Sequence, residues 1–288
     1  MNIADIKTSK QISANTFHSP MRYPAGKAKF MDNITGQFSG RASPDACYVE
    51  PFVGGGSTLI GYLNRHGIPR RIVLNDKDHS VASVWRCVQK ESLLTQLIPR
   101  IMGASITTEE YRRQKPLLRS GDTVEAAFAQ MVRGWCSAHN GVWESGPRGA
   151  YAQRNTINLV DKLWNPAELC HRLMTLHTAI GHVMEVYSGD FAEVITKNDH
   201  PNTVLYIDPP YYEIGRRFYR CSMNDADHVR LANAVQRLRH SFWVVNYYDH
   251  LRVRELYHKC NIFSVFLRKA RRRADGSQMT NGEILIAA

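Results

Sequence analysis

Residues 203–211 read Thr-Val-Leu-Tyr-Ile-Asp-Pro-Pro-Tyr, an apolar strand followed at once by an acid, two prolines and an aromatic ring. Open α/β sheets bind ligands at the carboxyl ends of their strands, so Asp208 is expected to face a ligand cleft. The prolines lack N–H donors and restrict φ, which leaves the carbonyls of Asp208 and Pro209 free to point into that cleft. The competing interpretation is a buried strand that ends in a proline-rich turn.

The chemistry of residues 208–211 indicates what such a cleft would bind. The Asp208 carboxylate and the Pro209 carbonyl can accept hydrogen bonds, and the Tyr211 ring can stack. Together they suit a planar group that bears an exocyclic amine. A nucleobase has this form, and a base that is modified within duplex DNA must first leave the stack.

A second motif lies near the N-terminus. Residues 50–57 read Glu-Pro-Phe-Val-Gly-Gly-Gly-Ser, between a predicted strand over 46–49 and a predicted helix over 58–65. Glycines at a strand-to-helix turn let the backbone approach a ligand, and the helix N-terminus adds N–H donors. The spacing is neither the dinucleotide fingerprint nor a P-loop. It therefore predicts a nucleotide-like ligand rather than a pyrophosphate.

An acid also follows the next predicted strand, which covers 71–74. Asp76 stands at its end, directly after Asn75. An acid at the end of the second strand is well placed to accept hydrogen bonds from ribose hydroxyls. Alternatively, Asp76 is the N-cap of a helix that begins near His79, and it could serve both purposes.

Taken together, these motifs resemble a known family, the Dam-like class of DNA adenine-N6 methyltransferases, which use S-adenosylmethionine. Four blocks correspond in order, at residues 22–27, 50–57, 75–76 and 208–211. The block at 22–27, Arg-Tyr-Pro-Ala-Gly-Lys, has Ala25 where the family commonly has glycine. The family's GATC-reading segment is not visible in the middle of this chain, so the target sequence stays open.

The resemblance implies roles for individual residues. Asp190 would accept from the adenine amine of the cofactor, although an ordinary Asx-turn is the alternative for it. Lys27 would pair with the methionine carboxylate unless it is a surface lysine. Tyr23 would pack beside the sulfonium. The implied catalytic residues are Asp208, Pro209 and Tyr211, and the implied cofactor-binding residues are Tyr23, Lys27, Glu50, Pro51, Phe52, Gly54, Gly56, Ser57, Asp76, Asp190, Phe191 and Asp208.

The chain has 288 residues, enough for one α/β domain with an inserted subdomain. The predicted fold is an α/β, Rossmann-like methyltransferase sheet with a terminal antiparallel hairpin over 19–99 and 182–288, after a flexible lead-in over 1–18. A mainly helical insert over 100–181 is expected to be the target-recognition domain, or else an appendage that does not touch the substrate. Helices are predicted over 79–98, ending at Pro99, and from Pro166 to about Ile180, with a strand over 182–187.

A net charge of +11 and a pI near 9.5 favour a polyanionic partner such as double-stranded DNA. Residues 268–273 contain five cations, although a charge run is usually a solvated face. Tyr247 or Tyr248 is expected to line the pocket for the target base, and either could be core instead. The candidate DNA-binding residues are Arg148, Arg216, Arg217, Arg271, Arg272 and Arg273, and Arg220 is a further candidate for a phosphate contact.

The predicted function is transfer of a methyl group from S-adenosylmethionine to N6 of a flipped-out adenine in duplex DNA. Methylation of cytosine N4, methylation of an RNA adenine, and a DNA-binding regulator on a catalytically silent scaffold are the alternatives. No length remains for a nuclease domain, so a nuclease partner, if one exists, would be encoded elsewhere.

Other sequence features argue against a disulfide-bonded, a metal-binding, a secreted or a membrane-spanning protein. The six cysteines form no C-x-x-C pair and are predicted to be free thiols of a reducing compartment. The twelve histidines show no metal-binding spacing, so no metal is predicted. The N-terminus lacks the apolar region of a secretory signal, and no apolar stretch reaches membrane-spanning length. A cytoplasmic protein is therefore expected.

Overall fold

The structure, a computed structural model, describes residues 16–24, 27, 31–139, 142, 144–148, 163–213, 215–267, 271–272, 278–279 and 282–288. Its strands are β1 (Cys47–Glu50), β2 (Arg71–Asn75), β3 (Met184–Tyr187), β4 (Thr203–Ile207), β5 (Phe242–Tyr248), β6 (Asn261–Leu267), β7 (Arg271–Arg272), β8 (Gln278–Met279) and β9 (Gly282–Ala287). Its helices are α1 (Met31–Gly36), α2 (Ser57–His66), α3 (His79–Gln89), α4 (Glu91–Met102), α5 (Thr108–Leu117), α6 (Thr123–Trp135), α7 (Pro166–Ile180), α8 (Phe191–Lys197), α9 (Gly215–Phe218), α10 (Asp225–Gln236) and α11 (Leu251–Leu256).

Seven strands form one sheet in the order β3-β2-β1-β4-β5-β9-β6. The strands from β1 to β5 pair in parallel, and β9 runs antiparallel between β5 and β6. The predicted α/β, Rossmann-like sheet and its terminal antiparallel hairpin are thereby confirmed. The short strands β7 and β8 pair with each other inside the loop that joins β6 to β9.

The order of the strands reverses between β1 and β4. The chain first moves from β1 outward to β3, then returns to the other side of β1 and continues through β4 and β5. At such a switch point the connecting loops diverge and leave a crevice beyond the carboxyl ends of the strands. Glu50, Asp76 and Asp208 stand at the ends of β1, β2 and β4, so three acids meet at this crevice.

Burial explains why the central strands are almost continuously apolar. All five residues of β4 are buried, since helices cover both faces of the parallel sheet. Successive residues of a strand point to opposite faces. Tyr48 and Val204 accordingly join the core on one face, whereas Val49 and Leu205 join the core on the other.

Two of the predicted segments differ in the structure. The helix expected over 79–98 is two helices, α3 and α4, because Lys90 adopts an extended backbone between them. Pro99 lies inside α4, which continues to Met102 while Leu97 and Ile101 are buried on its apolar face. The strand expected over 182–187 begins only at Met184, because residues 181–183 form a 3₁₀ turn. The prediction of a helix from Pro166 to Ile180 is confirmed, with Asn165 as its N-cap.

The helices of segment 100–181 pack on the sheet domain. Residues 126–135 of α6 are all buried, and α6 packs along α3 while α7 packs on α4. Their apolar side chains belong to the same core as those of β1 and β2. The boundaries of a separate target-recognition domain stay a prediction, and this segment is anchored to the sheet domain by a shared apolar core.

Two general features concern membranes and thiols. No helix within the described ranges has both the length and the apolar character needed to cross a membrane. All six cysteines are free, and Cys87, Cys136 and Cys170 are buried.

Candidate active site

A cavity of about 400 Å³ opens at the carboxyl ends of β1, β2 and β4. Most of the residues predicted to bind the cofactor form its wall, namely Tyr23, Glu50, Phe52, Gly54, Ser57, Asp76, Asp190, Phe191 and Asp208. Lys27, Pro51 and Gly56 are not part of that wall, and neither are Pro209 and Tyr211. The structure therefore brings the glycine turn and the predicted catalytic acid to one cavity.

The glycine turn is shaped by aromatic packing. Gly54 and Gly56 have φ values of 47° and 65°, a region that favours glycine. A Cβ on Gly54 would lie 2.7 Å from the Tyr23 ring, and one on Gly56 would lie 2.3 Å from the Trp85 ring. The glycines were expected to make room for a ligand. At these two positions the space is filled by Tyr23 and Trp85, so the glycines hold the aromatic rings that shape the cavity.

Asp76 presents a carboxylate that is held by backbone donors. Its Oδ2 accepts from Gly54 N at 2.9 Å, and its Oδ1 accepts from Asp78 N at 2.8 Å. Burial, together with the negative charge of Asp78, raises the pKa of Asp76 to about 7. The N-cap of α3 is Asp78, so the alternative interpretation, in which Asp76 caps this helix, is wrong. Each oxygen of Asp76 keeps a lone pair for a further donor.

Arg220 is held inside the protein by Asp78. Its Nε and Nη2 donate to the Asp78 carboxylate, and its Nη1 donates to the Leu118 carbonyl at 3.0 Å. The side chain is 13% exposed. The prediction of a phosphate contact is therefore wrong for Arg220. This ion pair instead ties the loop after α9 to α3, and Tyr219 of that loop stacks on Tyr23 with 5.7 Å between ring centroids.

Asp190 and Phe191 lie at the end of β3. Asp190 caps α8 by accepting from Ala192 N at 2.9 Å, and its Oδ2 accepts from Arg230 at 2.7 Å. Burial raises the pKa of Asp190, but the bonds from Arg230 and Ala192 outweigh it and lower the pKa overall. Phe191 packs on Phe52 with ring centroids 5.2 Å apart. The Asx-turn alternative is thus observed for Asp190, which also stands at the cavity wall.

The first part of the glycine motif is tightly bonded. Glu50 accepts from the Tyr48 hydroxyl at 2.9 Å, and burial raises the pKa of Glu50 well above its usual range. Ser57 accepts from Lys27 N at 3.4 Å. The Pro51 carbonyl accepts from Asn75 Nδ2 at 2.9 Å, while Asn75 Oδ1 accepts from Gly189 N at the same distance. Asn75 therefore joins the loops that follow β1, β2 and β3.

Lys27 faces Asp208, the predicted catalytic acid. Its side chain is 1% exposed, and its Nζ lies 3.3 Å from Asp208 Oδ1 and 3.3 Å from Glu283 Oε2. It also donates to the Tyr211 hydroxyl. Because an ammonium has three donors, all of them are used. The prediction that Lys27 pairs with a cofactor carboxylate is not supported, and the surface-lysine alternative is wrong.

Asp208 stands at the cavity wall with a perturbed acidity. Burial raises its pKa to about 6, with Lys27 lowering it and Glu283 raising it further. Its Oδ1 faces Lys27, whereas Oδ2 has no donor among the described residues. The Pro209 carbonyl likewise receives no hydrogen bond from any residue in the described ranges. One carboxylate oxygen at the cavity wall is therefore free to accept from a ligand, whereas Pro209 is buried and is not part of that wall.

The tyrosines beside the tetrapeptide occupy two different environments. Tyr211 is 7% exposed and meets Tyr248 edge to face, with ring centroids 5.3 Å apart. Tyr248 is half-buried, whereas Tyr247 is 1% exposed and its hydroxyl lies 2.7 Å from Nδ1 of the buried His228. The structure thus places Tyr247 in the core and leaves Tyr248 beside Tyr211.

Of the six predicted DNA-binding arginines, the structure describes the side chain of Arg148 alone. Arg148 is exposed, and its backbone N–H donates to the Cys136 carbonyl at 2.9 Å. Arg216 and Arg217 lie in α9, and Arg271 and Arg272 lie in β7, with side chains outside the described part of the structure. Arg273 lies outside the described residues altogether.

A basic surface lies beside the cavity, and of its residues Arg148 alone was identified from the sequence. The guanidinium carbons of Arg22 and Arg172 lie 4.6 Å and 5.2 Å from the Trp135 ring centroid. Burial and the positive charges of Arg148 and Arg172 lower the pKa of Arg22. We call these four residues, Arg22, Trp135, Arg148 and Arg172, the Trp135 patch. They are far apart in sequence, so no local pattern could reveal them.

Glu283 was also missed from the sequence. It is the one charged residue of β9, which reads Gly-Glu-Ile-Leu-Ile-Ala. A lone acid in an apolar strand was the available signal.

As for metals, the described residues contain no cluster of three or more His, Cys, Asp or Glu side chains that could hold an ion.

Comparisons with known proteins agree on the class of enzyme. A family model described as D12 class N6 adenine-specific DNA methyltransferase matches residues 23–273. A similar sequence is the type II methyltransferase M.MjaIII of Methanocaldococcus jannaschii, 20% identical over 206 residues that span 66% of this chain and 69% of that protein.

Two solved structures also align with the chain. The putative methyltransferase yhhF of Escherichia coli is 8% identical, with a TM-score of 0.34 over 93% of this chain and 90% of that one. The rRNA methyltransferase aviRa of Streptomyces viridochromogenes is 15% identical, with a TM-score of 0.38 over 100% of this chain and 93% of that one. The strand order, rather than these low scores, defines the fold.

Proposed function

Because the chain belongs to the D12 class N6 adenine-specific DNA methyltransferases, we propose that its cavity binds S-adenosylmethionine and that Asp208 receives the target amine. Membership of the family implies a donor of the S-adenosylmethionine type and DNA as the substrate. The observation that carries the proposal is the free Asp208 oxygen at the wall of the same cavity as Asp76 and the glycine turn.

The residues around the cavity fit this cofactor. Asp76 is a buried acid with unused lone pairs and no cation bonded to it in the described structure, so ribose hydroxyls would satisfy it. Phe52 and Phe191 offer apolar faces for the adenine ring, and Asp190 stands beside them. Tyr23 packs on the glycine turn, where it would meet the sulfonium end. When bound, the cofactor supplies an electrophilic methyl group.

The chain's own residues would orient the amine of the target. Adenine N6 is a poor nucleophile because its lone pair is delocalised into the ring. If Asp208 Oδ2 and the Pro209 carbonyl accept the two N6 protons, the nitrogen lone pair is turned out of the ring plane. Positioning and electrostatics then provide most of the acceleration. Asp208, with its pKa raised to about 6, is also a competent acceptor for the proton that the amine finally loses.

A base that reaches Asp208 has to leave the duplex. The partly exposed ring of Tyr248 and the adjoining Tyr211 form the aromatic wall against which it would stack. Stacking of a base on an aromatic side chain contributes roughly 1–3 kcal/mol. Lys27 is already bound to Tyr211 and Asp208, so we assign it to this amine site and not to the cofactor.

Recognition of the DNA would involve two surfaces of different kinds. The Trp135 patch presents Arg22 and Arg148, which have no carboxylate partner among the described residues, beside the cavity mouth. Segment 100–181, which includes Arg148, is proposed to read the target sequence, and the Arg271–Arg273 loop to contact phosphates. Phosphate contacts position a protein, whereas contacts to base edges specify sequence.

A randomised duplex library separates these two roles. Arg148→Ala should change the preferred sequence, because a bidentate base contact discriminates by about 1–3 kcal/mol. The double variant Arg271→Ala/Arg272→Ala should slow methylation of all sequences and flatten the salt dependence. The opposite pattern would mean that the two assignments are reversed.

A nuclease partner encoded elsewhere and a cytoplasmic location remain predictions from the sequence alone.

Analysis of the reaction product tests the proposed chemistry. Purified protein is incubated with duplex DNA and S-adenosylmethionine that carries a trideuterated methyl group, and the digested nucleosides are analysed by mass spectrometry. We expect the label in N6-methyldeoxyadenosine, and none from the Asp208→Ala variant. Label in deoxycytidine, or a preference for RNA, would overturn the assignment of the target.

A further inference from the structure

The β9 strand delivers an acid to the amine site. In the backbone register, Glu283 is paired with Tyr248 of β5 on one side and with Phe266 of β6 on the other. Its Oε2 lies 3.3 Å from Lys27 Nζ and accepts from Asn246 Nδ2 at 3.0 Å. The side chain is 16% exposed, so most of it is removed from water. Glu283 belongs to the antiparallel hairpin, which carries no residue of the four sequence motifs.

The surroundings of Asn246 fix the direction of its hydrogen bond to Glu283. Asn246 is 1% exposed, and its Oδ1 has no hydrogen-bond partner in the described part of the protein. Reversing the amide would place Oδ1 against the Glu283 carboxylate, where two acceptors would repel each other. The Nδ2 donor is therefore fixed toward Glu283, and it holds the carboxylate beside Lys27.

Two carboxylates share one ammonium at this point. Lys27 Nζ lies at the same distance from Asp208 Oδ1 and Glu283 Oε2, and it is the cation that contacts both. A lysine that served only to neutralise Asp208 would not need the second acid. Burying two like charges around one cation is costly, and such arrangements are retained at functional sites more often than elsewhere.

We propose that Glu283 is a positioning residue of the methyl-transfer reaction, which shares the Lys27 ammonium with Asp208 and so keeps the free Asp208 oxygen a strong acceptor for the target amine. This inference rests on the proposed role of Asp208. An Asp208 paired with Lys27 alone would be a weaker base, because the ammonium stabilises the ionised carboxylate. Glu283 also attracts that ammonium and repels the charge on Asp208, so the Asp208 carboxylate stays a stronger hydrogen-bond acceptor.

The ionisable groups around Asp208 determine how its pKa should change when the charge of Glu283 is removed. Lys27 favours the ionised carboxylate, whereas Glu283 disfavours it and Glu50 is a further acid nearby. The other titratable groups are the hydroxyls of Tyr206, Tyr211, Tyr219 and Tyr247, whose own pKa values are raised and which stay neutral near pH 7. Removing the charge of Glu283 should therefore lower the pKa of Asp208.

The test is the pH dependence of methyl transfer by the full chain carrying Glu283→Gln. Glutamine keeps the size of the side chain but removes the charge. We expect the acid limb of kcat/KM to move to lower pH by at least half a unit, and the plateau rate to fall by about tenfold or more, with cofactor affinity by calorimetry unchanged within twofold. Glu255→Gln, at a surface ion pair with Arg252, is the matched control and should leave the profile unchanged.

A second readout keeps the proposal testable if the Glu283→Gln enzyme turns over too slowly. The carboxyl ¹³C resonance of Asp208, assigned by its loss in Asp208→Asn, is titrated in wild type and in Glu283→Gln without cofactor or DNA. A lower pKa in the variant supports the role of Glu283. An unchanged titration and pH profile, or a loss of cofactor affinity, overturns it. If Asp208→Asn itself keeps activity and the acid limb, the proposed role of Asp208 fails as well.

Discussion

Asp76 and Asp208 occupy equivalent places in the fold and have opposite surroundings. Each follows a parallel strand at the same edge of the sheet, and each stands at the wall of one cavity. Asp76 is bonded to the backbone N–H groups of Gly54 and Asp78. Asp208 instead faces the side chains of Lys27 and, beyond it, Glu283.

The difference shows how one sheet edge can support two tasks. Backbone donors are rigid and neutral, so the Asp76 carboxylate is held in place while its remaining lone pairs stay available for hydroxyls. Charged neighbours instead shift the pKa of a carboxylate. Lys27 lowers the pKa of Asp208, and Glu283 raises it. We therefore assign ligand binding to Asp76 and chemistry to Asp208.

The largest effect is expected at Asp208. Asp208→Ala removes the acceptor for the amine, so methyl transfer should fall on the order of 10²–10⁴-fold, as for other positioned acid–base groups. The measurement is the single-turnover rate on duplex DNA, with the exposed Asp45→Ala as control. A folded Asp208→Ala protein that retains near wild-type rates would contradict the catalytic assignment.

Asp76 should show the complementary loss. Asp76→Ala deprives the ribose hydroxyls of a charged acceptor, and affinity for S-adenosylmethionine should weaken by well over tenfold. Isothermal titration calorimetry measures it directly. Unchanged affinity would mean that the ribose lies elsewhere and that the two carboxylates do not divide the work in this way.

Lys27 gives a finer test, because among the described residues Asp208 forms an ion pair with a cation and Asp76 does not. Lys27→Met removes the charge that lowers the pKa of Asp208, so this pKa should rise from about 6. Transfer requires the ionised carboxylate. The acid limb of the rate profile should accordingly move to higher pH, opposite to the shift expected for Glu283→Gln. A shift in the same direction for both variants would contradict the shared-ammonium arrangement.

The smallest effect concerns stability without cofactor. The pKa of Asp76 is raised to about 7 in the folded protein, against about 3.9 in an unfolded chain. The folded state therefore holds this proton more tightly, and its contribution to stability falls as the pH rises from 4 to 7. Asp76→Asn removes this dependence.

Denaturant unfolding across this pH range tests that prediction. The free energy of unfolding of Asp76→Asn, relative to wild type, should increase by roughly 1–2 kcal/mol between pH 4 and pH 7, after allowance for partial solvent exposure. Asp45→Asn, at an exposed site, is the matched control. A flat difference for Asp76→Asn would mean that its carboxylate is not destabilised by burial.

The sequence predicted the architecture because its signals are local. A strand that ends in Asp208-Pro209-Pro210-Tyr211 and a glycine turn after β1 both place ligand groups at one sheet edge, and the family match at residues 23–273 confirms the resemblance that these motifs carry. The helix at Pro166 could be placed because Asn165 and Pro166 are start signals. The division of 79–102 at Lys90 has no comparable signal.

The partners of individual side chains could not be predicted in the same way. Lys27 and Asp208 are 181 positions apart, and Glu283 lies on a strand with no recognisable motif, so their meeting depends on tertiary packing. The three glycines were correctly placed in a turn after β1, and Gly54 and Gly55 lie at the cavity wall. The reason for Gly54 and Gly56, the rings of Tyr23 and Trp85, became visible only in three dimensions.

The claim that Asp76 binds the cofactor while Asp208 acts on the target amine is tested most directly by single-turnover methyl transfer. The rate is measured at saturating S-adenosylmethionine for Asp76→Ala and Asp208→Ala side by side. A residue that only binds the cofactor is rescued by saturation, whereas a residue that acts on the amine is not. We predict that Asp76→Ala recovers to within about fivefold of wild type while Asp208→Ala stays at least a hundredfold slower. Equal defects in both variants, or recovery of Asp208→Ala, would contradict the account.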